Sequence, residues 1–591
     1  MHYSDKPWIK RYDPTVPPSL DYPDQPLHAF LTHSAAQFPD NAAVITTAKL
    51  PLLGRQTAAL SYRDLDRLTD ALAAGLVARG VKKGDRVALV LPNCAAFVIA
   101  FFGALKAGAV VVAVNPTFPA LRMHEQFADS EVSVVIALSR FYPVVKQAQA
   151  GTPVRAVIVT NIKEYLPPLA RALFTLAREK QEGHAVALQP GDLWLQDILA
   201  QHAGQKPAVE IAAADPCIFQ YTGGTTGVPK AAVSAHRALV ANSVQIRTWI
   251  QGASDKPDHE LTFLAAIPLF HVYGMVTVLC FSISMGARMV MVPNARDTTD
   301  VLECLSHYHC EMFMGVPAMF NAVNNHPDVI AGKYDLSSVV ACISGSAPLA
   351  PATKRRFEEI TGGTLVEGYG MSEMPTATHC NPLKGENRTG SIGLPLPDVE
   401  CRIVSLDDET TDMPVGDIGE LVLRGPHMMN GYYKMPTETA NALRTGPDGQ
   451  LWYYTGDIGY MDEDGYFYIV DRKKDMVLIG GFNVYPNNVD KVLAELPQVL
   501  EVAVAGVPHP DPTKVGQETL KAWIVLKPGQ TLTEEAIIAH ARTRLAPYEV
   551  PTRFAFVDEL PKTFVGKTLR RELVRMEMEA RERAAGQGEA G

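Results

Sequence analysis

The sequence predicts an α/β protein with three parts: a large N-terminal domain of mainly parallel, helix-covered sheets, a β-rich subdomain, and a small mobile α+β C-terminal domain. Up to about residue 370, short apolar runs alternate with helical patterns, which is typical of parallel strands covered on both faces. Near Gly390 the strands become short and are separated by Gly, Pro and Asp, with few helices between them. After Asp471 a compact group of three strands and two helices follows.

The length of 591 residues indicates several folding units. We predict a large N-terminal domain over 1–470 that includes the β-rich subdomain at about 388–470. A hinge is predicted at 471–475 and a small domain at 476–576. The remaining residues, 577–591, are polar and are predicted to form a disordered tail.

Hydrophobic periodicity predicts the individual elements in chain order. The leucines of "RDLDRLTDALAAGLVARG" share one helical face, and "DRVALVLP", a helix around Phe97 and the strand "AVVVAV" follow. The later strands of the large domain are predicted at "VSVVIAL", "PVRAVIV", "PCIFQYT", "ARMVMV", "CEMFMG", "SVVACIS" and "GTLVEGYG". The β-rich part contains "VECRIVS", "GELVLRG" and "GYFYIVD", and the small domain contains "EVAVAGV", "LKAWIVL" and "RFAFVDE" with helices from Pro486 and Glu534.

Composition argues against a general nucleic-acid binder, because the chain has 54 basic and 64 acidic residues and a net charge of −10. None of the eight cysteines forms a CxxC pair or a cluster with zinc spacing. The N-terminal residues have no apolar core like that of a signal peptide. These features predict a cytoplasmic protein, with peripheral membrane association as an open option.

Two segments raise the question of membrane contact. The run from Leu261 to Ala287 has no Asp, Glu, Lys or Arg, but Pro268, Gly274 and Gly286 interrupt it, so a buried strand, loop and helix are predicted. In "KEYLPPLARALFTLAREKQEGH" (163–184), four leucines share one helical face. This face could lie on an anionic membrane, but three acids dilute its positive charge and favour packing on its own domain.

The stretch "QYTGGTTGVPK" (Gln220 to Lys230) predicts a phosphate-binding loop. A strand enters it, "SAHRALVANS" is predicted to leave it as a helix, and the glycines allow backbone N–H groups to surround an anion. It is not a Walker A loop, because Val228 and Pro229 separate the last glycine from the lysine.

Five further motifs follow in order: "GSAPL", "EGYGMSE", "YYTGD", "IVDRKKD" and "LPKTFVGK". Together with the glycine loop they resemble the adenylate-forming superfamily of acyl-CoA synthetases, luciferases and peptide-synthetase adenylation domains. "PLFHVYG", "GSIGLPLP" and "VDRKKDMVLIGGFNVYPNNVD" are similar to bacterial long-chain fatty-acid–CoA ligases. The resemblance covers nearly the whole chain.

The resemblance implies ATP-dependent activation of medium- to long-chain fatty acids to acyl-AMP and then acyl-CoA, with release of pyrophosphate and AMP. It implies ATP, CoA and Mg²⁺ as cofactors, and fatty acid, ATP and CoA as partners; a homodimer is a further prediction. The alternatives are an aryl- or other carboxylate–CoA ligase, a fatty acyl-AMP ligase that loads a carrier protein, and a catalytically inactive binding module of the same fold.

The resemblance also assigns the site residues. Lys567, Glu373, Thr225 and His271 are the catalytic candidates, and Glu373 with Thr225 would hold the metal. Lys567 would sit between the substrate carboxylate and the α-phosphate once the C-terminal domain closes. The candidate ATP/AMP-binding residues are Thr222, Gly223, Gly224, Thr225, Thr226, Gly227, Lys230, Gly345, Ser346, Ala347, Pro348, Glu367, Gly368, Tyr369, Gly370, Met371, Ser372, Asp457 and Arg472.

The remaining candidates belong to the second step and to the substrate. Lys474 is the implied hinge residue, and Lys562 is expected to be an exposed neighbour of Lys567. The implied CoA-binding residues are Gly480, Gly481 and Phe482, and the implied acyl pocket consists of His271, Val272, Met275 and Val276.

Overall fold

The computed structural model describes residues 2–50, 54–222, 229–479, 482–510, 517–563 and 567–588, without the side chains of 582 and 584–588. The chain forms two compact units. The larger unit comprises Trp8–Glu400 and Arg424–Arg444, and the smaller unit comprises Met1–Pro7, Cys401–Leu423 and Thr445–Gly591.

A nine-stranded sheet and an eight-stranded sheet form the centre of the larger unit. The nine-stranded sheet runs, from edge to edge, through β16 (Leu394–Pro395), β15 (Ala377–Cys380), β14 (Thr364–Gly370), β13 (Ala341–Ser344), β12 (Met312–Gly315), β10 (Thr262–Ala265), β11 (Arg288–Met291), β1 (Ala42–Leu50) and β2 (Gly54–Ser61). The eight-stranded sheet runs through β19 (Gly431–Tyr432), β9 (Lys230–Ala235), β8 (Pro216–Thr222), β4 (Val110–Ala113), β3 (Arg86–Val90), β5 (Val132–Leu138), β6 (Ala156–Thr160) and β7 (Leu193–Trp194).

Most of the inner strands of both sheets pair in parallel, and antiparallel strands lie towards the edges. The helices of this unit are α1 (Ala29–Gln37), α2 (Tyr62–Ala78), α3 (Ala95–Lys106), α4 (Ala120–Asp129), α5 (Tyr142–Gln149), α6 (Pro168–Ala177), α7 (Leu195–Gln201), α8 (His236–Trp249), α9 (Val272–Gly274), α10 (Phe281–Met285), α11 (Thr298–His307), α12 (Pro317–Asn324), α13 (Pro327–Ile330), α14 (Pro351–Thr361) and α15 (Pro436–Ala442). Every residue of α3 is buried, as expected for a helix that is apolar all round.

The glycine loop connects two strands, so the predicted strand–loop–helix arrangement is wrong in its last part. β8 and β9 are antiparallel, with Thr222 opposite Lys230, and α8 begins only at His236. The intervening "KAAVSA" forms a strand because it pairs on both sides, with β8 and with β19. This long-range pairing decides the element, and local periodicity did not reveal it.

The apolar run from Leu261 to Ala287 has the predicted buried strand, loop and helix. β10 is followed by α9, a π-helical stretch at Met275–Cys280, and α10. Gly274 is required by close packing, since a Cβ atom there would lie 2.4 Å from the carbonyl oxygen of Pro268. In the described part of the chain, no helix is both long and apolar enough to cross a bilayer.

The leucines of α6 do not pack on their own domain, which corrects the favoured prediction for 163–184. Leu169, Leu173 and Leu176 are exposed, and Ala170 is the buried residue of this helix. The helix is held through Ala170 and through Phe174, whose ring makes an edge contact with His184 at 5.6 Å between centroids.

The smaller unit contains the β-rich and C-terminal segments. One sheet lies mostly in this unit and has the order β17 (Glu400–Val404), β18 (Gly419–Arg424), β21 (Leu451–Met461) and β20 (Leu443–Thr445), with β22 (Phe467–Arg472) also pairing with β21. The others are the hairpin β23 (Val477–Ile479) and β24 (Phe482–Val484), and the three strands β25 (Val499–Pro508), β26 (Glu518–Leu526) and β27 (Arg553–Phe556). Its helices are α16 (Pro486–Leu493), α17 (Glu534–Ala541) and α18 (Arg570–Gly588).

Two features bear on the predicted domain plan. Residues 577–588 of the tail predicted to be disordered instead continue α18, and Glu577 pairs with Lys521 and Arg553 of the three-stranded sheet and with Arg581 one turn along the same helix. Residues 445–470 group with the C-terminal region in the smaller compact unit, and the predicted domain bounds stay predictions. The hinge at 471–475 stays a prediction.

Candidate active site

The ends of the glycine loop are fixed by the β8–β9 hairpin. Thr222 is the last residue of β8 and Lys230 is the first residue of β9. The Thr222 hydroxyl donates to the Lys230 carbonyl at 3.4 Å. Gly223, Gly224, Thr225, Thr226 and Gly227 lie outside the described residues, so their predicted phosphate contacts stay predictions.

Lys230 and Glu373 meet at the ring of Tyr432. The Tyr432 hydroxyl donates to Glu373 Oε1 at 2.8 Å, and the Lys230 ammonium lies 5.3 Å from the centroid of the same ring. Lys230 is also ion-paired with Glu438. Strand β19 positions Tyr432, because it pairs with β9 opposite Ala232. A cation and a carboxylate at the mouth of the glycine loop suit a phosphate–metal site.

The "GSAPL" and "EGYG" motifs are connected by Glu367. Its two carboxylate oxygens accept hydrogen bonds from the backbone N–H groups of Leu349 and Gly390, each at 3.0 Å. Glu367 is buried, and this geometry gives it a role in holding the loop 345–348. In that loop Gly345 is buried, and Ser346 is exposed with a left-handed backbone (φ 70°).

The end of β14 presents Tyr369 and turns sharply at Gly370. A Cβ atom at Gly370 would lie 1.5 Å from the Thr376 carbonyl oxygen, so only glycine fits there. Tyr369 is half-buried and makes an edge contact with His379, with 5.8 Å between centroids. Gly368, Met371, Ser372 and Glu373 are likewise half-buried. Tyr369 and Gly370 therefore end β14, and the predicted metal residue Glu373 follows three residues after the strand.

His271 caps the helix that follows β10. Its Nδ1 accepts a hydrogen bond from the Tyr273 N–H at 3.3 Å, and burial lowers its pKa to about 4. The imidazole is therefore neutral at pH 7. The predicted acyl-pocket residues Val272, Met275 and Val276 are fully buried on the same helix.

In the smaller unit, the structure brings Asp457 and Arg472 together. They are opposite each other in the β21–β22 pair, and Arg472 Nε lies 2.8 Å from Asp457 Oδ1. The carboxylate is almost completely buried, with 5% of the side chain exposed. A buried carboxylate beside a guanidinium suits recognition of vicinal hydroxyls.

Two lysines near this pair have lowered pKa values. Removal from water, together with the Arg472 guanidinium, lowers the pKa of Lys567 to about 8, while Asp457 and Asp475 partly oppose the shift. The same two causes lower the pKa of Lys474 to about 8. Both lysines are exposed, and Arg472 is the cation that lowers the pKa of each of them. Lys562 is exposed as predicted, and it pairs with Glu501.

The predicted CoA-binding segment is the β23–β24 hairpin. Gly480 and Gly481, which separate its two strands in the sequence, lie outside the described residues. Phe482 is 55% exposed and stacks on Tyr548, with 4.5 Å between ring centroids. An aromatic pair with one exposed ring offers an apolar surface on which a ligand can pack.

Sequence reasoning missed two groups that organise the site. The first is Tyr432, for which "GYYK" offers no distinctive local signal. The second is Asp471, which accepts hydrogen bonds from the backbone and side chain of Asn487 at 2.8 and 3.0 Å. Arg570 donates to Asn487 Oδ1 at 2.5 Å and pairs with Asp490, whose pKa burial raises to about 7. This network fixes the base of α16 next to the predicted hinge.

Known proteins are similar to this chain over nearly its whole length. A long-chain-fatty-acid–CoA ligase of Bacillus subtilis (strain 168) is 39% identical over 584 residues, which is 98% of this chain and 99% of that protein. A feruloyl-CoA synthase of an Amycolatopsis species is 33% identical and covers 88% of this chain and 94% of its own. The ATP-bound crystal structure of MatB from Rhodopseudomonas palustris superposes with a TM-score of 0.79 at 26% identity, covering 93% of this chain and 99% of that one.

Family profiles match both parts of the chain. Residues 31–433 match the AMP-binding enzyme family, and residues 488–567 match the AMP-binding enzyme C-terminal domain. The first match includes the glycine loop, Glu373 and Tyr432, and the second reaches Lys567. The chain therefore belongs to the AMP-binding enzyme family.

Proposed function

We propose that this protein is an ATP-dependent fatty acid–CoA ligase that activates medium- to long-chain fatty acids, first to acyl-AMP and then to acyl-CoA. The observation that carries the proposal is the 39% identity to the Bacillus subtilis long-chain-fatty-acid–CoA ligase over 98% of the chain. The similarity extends over both matched regions, so it includes the candidate residues of both half-reactions.

In the first half-reaction the fatty-acid carboxylate attacks the α-phosphorus of ATP, and pyrophosphate leaves with the electron pair of the broken P–O bond. No covalent enzyme intermediate is needed, so the protein acts by positioning and by stabilising charge. We assign the Lys567 ammonium to the carboxylate and α-phosphate. Lys230 and the loop 223–227 are assigned to the departing phosphates.

The candidate metal site fits Mg²⁺. Magnesium bound with nucleotide phosphates takes one or two protein carboxylates and keeps several waters, so a single half-buried Glu373 beside the glycine loop is sufficient. When bound, Mg²⁺ would neutralise phosphate charge. The Tyr432 hydroxyl orients the Glu373 carboxylate, and Thr225 is the second proposed ligand.

Nucleotide recognition is assigned to three groups. Tyr369 would stack on adenine, and the backbone of 345–348, held by Glu367, would border the base. Asp457 would accept hydrogen bonds from the ribose hydroxyls, with Arg472 orienting it. The neutral His271 would border the substrate carboxylate and acyl chain, which Val272, Met275 and Val276 would enclose.

In the second half-reaction the CoA thiolate attacks the carbonyl carbon of acyl-AMP, and AMP leaves with the electron pair of the broken C–O bond. We propose that the backbone at Lys474 changes conformation between the two steps. The hairpin segment 480–482 would then serve CoA, since glycines allow pantetheine to approach the main chain.

A second candidate is an aryl-acid–CoA ligase, and the 33% identity to a feruloyl-CoA synthase favours it over the remaining alternatives. A fatty acyl-AMP ligase that loads a carrier protein would share the first step but would not need CoA.

Two partner predictions also stay proposals: a homodimer, which light scattering of the purified chain would measure, and peripheral contact with a membrane.

The test is ATP-dependent pyrophosphate release with a panel of straight-chain and aryl acids, with and without CoA, followed by mass measurement of the products. We expect turnover with long-chain acids and the formation of acyl-CoA. Turnover only with aryl acids would favour the second candidate. Release of acyl-AMP that CoA does not consume would indicate a carrier-loading enzyme.

A further inference from the structure

Helix α6 presents an apolar stripe to solvent. Leu169, Leu173 and Leu176 are 51%, 40% and 85% exposed. They stand at i, i+4 and i+7, so they lie on one side of the helix. Three of the fifteen exposed large hydrophobic residues in the described part of the chain therefore fall within eight positions of one helix.

The same helix is attached to the protein through a different face. Ala170 is its buried residue, and Phe174, four positions later, contacts His184. The leucine stripe thus points away from the packed face, and folding of the larger unit does not account for it. Isolated exposed leucines are ordinary, but an ordered stripe of them indicates an interaction surface.

The exposed charge near the stripe is mostly positive, although the sequence of 163–184 is nearly balanced; the third acid, Glu182, is 39% exposed and lies 3.7 Å from Arg178. Arg171 and Arg178 have side chains that are 49% and 64% exposed, and Lys180 is exposed as well. By contrast, Glu164 and Glu179 keep 14% of their side chains exposed.

Folding thus withdraws two of the three acids that diluted the charge of this segment. Glu179 is held by Lys163 at 2.6 Å, and Glu164 is paired with Arg171. Helix α6 itself contains no acidic residue. The chain as a whole has a net charge of −10, whereas three exposed cations lie within or just after this helix.

We propose that α6 is a membrane-docking helix whose leucine stripe enters the interface of a bilayer that contains anionic lipids, while Arg171, Arg178 and Lys180 contact the headgroups. An amphipathic surface helix with apolar and basic residues binds membranes through buried apolar area and attraction to anionic lipid. This inference rests on the proposed function. Long-chain fatty acids partition into bilayers, so docking would place the enzyme at its substrate.

The test uses the full-length protein and sedimentation with vesicles of phosphatidylcholine, with or without phosphatidylglycerol. We expect wild-type protein to bind the anionic vesicles and to be released by salt. A Leu169→Glu, Leu173→Glu, Leu176→Glu variant should lose about tenfold or more of this affinity. The matched control is Ile330→Glu, since Ile330 is 64% exposed on α13 and should leave vesicle binding unchanged.

A second variant separates the charge from the apolar contact. Arg171→Glu, Arg178→Glu, Lys180→Glu should remove the preference for phosphatidylglycerol. Wild-type protein that does not sediment with anionic vesicles, or a triple leucine variant that binds as well as wild type, would overturn the proposal. So would conversion of a wild-type dimer into a monomer by the leucine substitutions, because the stripe would then belong to a contact between two copies.

Activity in detergent distinguishes this inference from the proposed function. With palmitate in micelles, wild type and the leucine variant should form acyl-CoA at equal rates. With palmitate supplied in anionic vesicles, the variant should be slower. If neither protein activates palmitate in micelles, the proposed function fails, and the vesicle-binding result alone still decides the role of α6.

Discussion

Lys567 is the residue on which the first half-reaction is expected to depend most. The Lys567→Ala variant should lose about 100- to 1000-fold in acyl-adenylate formation, the usual cost of removing one preorganised electrostatic donor. It should still convert supplied acyl-AMP and CoA to acyl-CoA. The measurement is pyrophosphate release for the first step and thioester formation for the second.

The neighbouring Lys562 provides a matched control for this substitution. It lies in the same turn, is exposed, and pairs with Glu501. Lys562→Ala should therefore leave both half-reactions nearly unchanged. Equal losses in both half-reactions for Lys567→Ala would contradict its assignment to adenylation alone.

The pH dependence of adenylation should reflect the lowered pKa of Lys567. The proposed role needs the charged ammonium, and a pKa of about 8 in place of 10.5 means that the proton is lost as the pH rises above 8. The adenylation rate should accordingly fall on the alkaline side with a midpoint near 8. Single-turnover pyrophosphate release across the range would measure it.

A Lys567→Arg variant tests the same group without removing the charge. Arginine stays protonated throughout this range, so any residual adenylation should lose the alkaline decline. An unchanged midpoint in Lys567→Arg would assign the decline to another group.

At the scale of single elements, the turn after β22 is predicted to be the moving part. Proline fixes φ, so Lys474→Pro should block the conformational change at this position. We expect adenylation to persist and acyl-CoA formation to be lost, the opposite of Lys567→Ala. Lys474→Ala is the control, because it removes the ammonium but keeps the backbone free; normal CoA ligation by Lys474→Pro would refute the hinge.

The helix after His271 is predicted to set the acyl length. Met275 and Val276 are fully buried there, so Met275→Trp or Val276→Trp should fill the channel and shift the preference to shorter acids. Each buried methylene contributes up to about 0.8 kcal/mol, so the shift should be steep in kcat/KM over even-numbered acids from about four to eighteen carbons.

Stability and ATP binding are the controls for the tryptophan variants. Overpacking a core costs about 1–3 kcal/mol, so a lower Tm is expected, whereas the KM for ATP should not change. A wild-type optimum at short or aromatic acids, or an unaltered chain-length profile in both variants, would show that this helix does not line the acyl channel.

For the whole molecule, buried histidines predict sensitivity to acid. Burial lowers the pKa of six histidines in the larger unit to about 3 or 4, from 6.5: His28, His184, His236, His271, His379 and His427. Below pH 6.5 the unfolded chain binds these protons and the folded chain does not, so stability is present above pH 6.5 and is lost as the pH falls towards 4. The Tm should decrease steeply over this interval.

His427 offers the clearest single test of this effect. Neither of its ring nitrogens has a hydrogen-bond partner among the described residues, and it is fully buried. Between pH 7.5 and 5, the free energy of unfolding should decrease by about 2 kcal/mol less in His427→Leu than in wild type. The exposed His33 is the control, and His33→Leu should leave the loss unchanged; an equal acid dependence in wild type and His427→Leu would contradict the prediction.

The sequence by itself determined the family, the fold class and most strands of the parallel sheets, and these predictions are confirmed. The reason is that near-continuous apolar strands and the ordered motifs are local signals. Candidate residues such as Asp457 and Arg472 could be named from motifs, but their 2.8 Å contact comes from pairing between β21 and β22. The same applies to Tyr432, which reaches Glu373 only because β19 pairs with β9.

Only the tertiary structure decided which polar groups are paired and which apolar faces are buried. "KAAVSA" is a strand because it pairs with a strand on each side, and the last helix is held past 577 where Glu577 pairs with Lys521 and Arg553. The leucines of α6 showed a regular stripe in the sequence, but periodicity identifies a face without identifying what covers it. That depends on contacts between segments distant in sequence, and in the folded chain those contacts bury Ala170 and leave Leu176 in solvent.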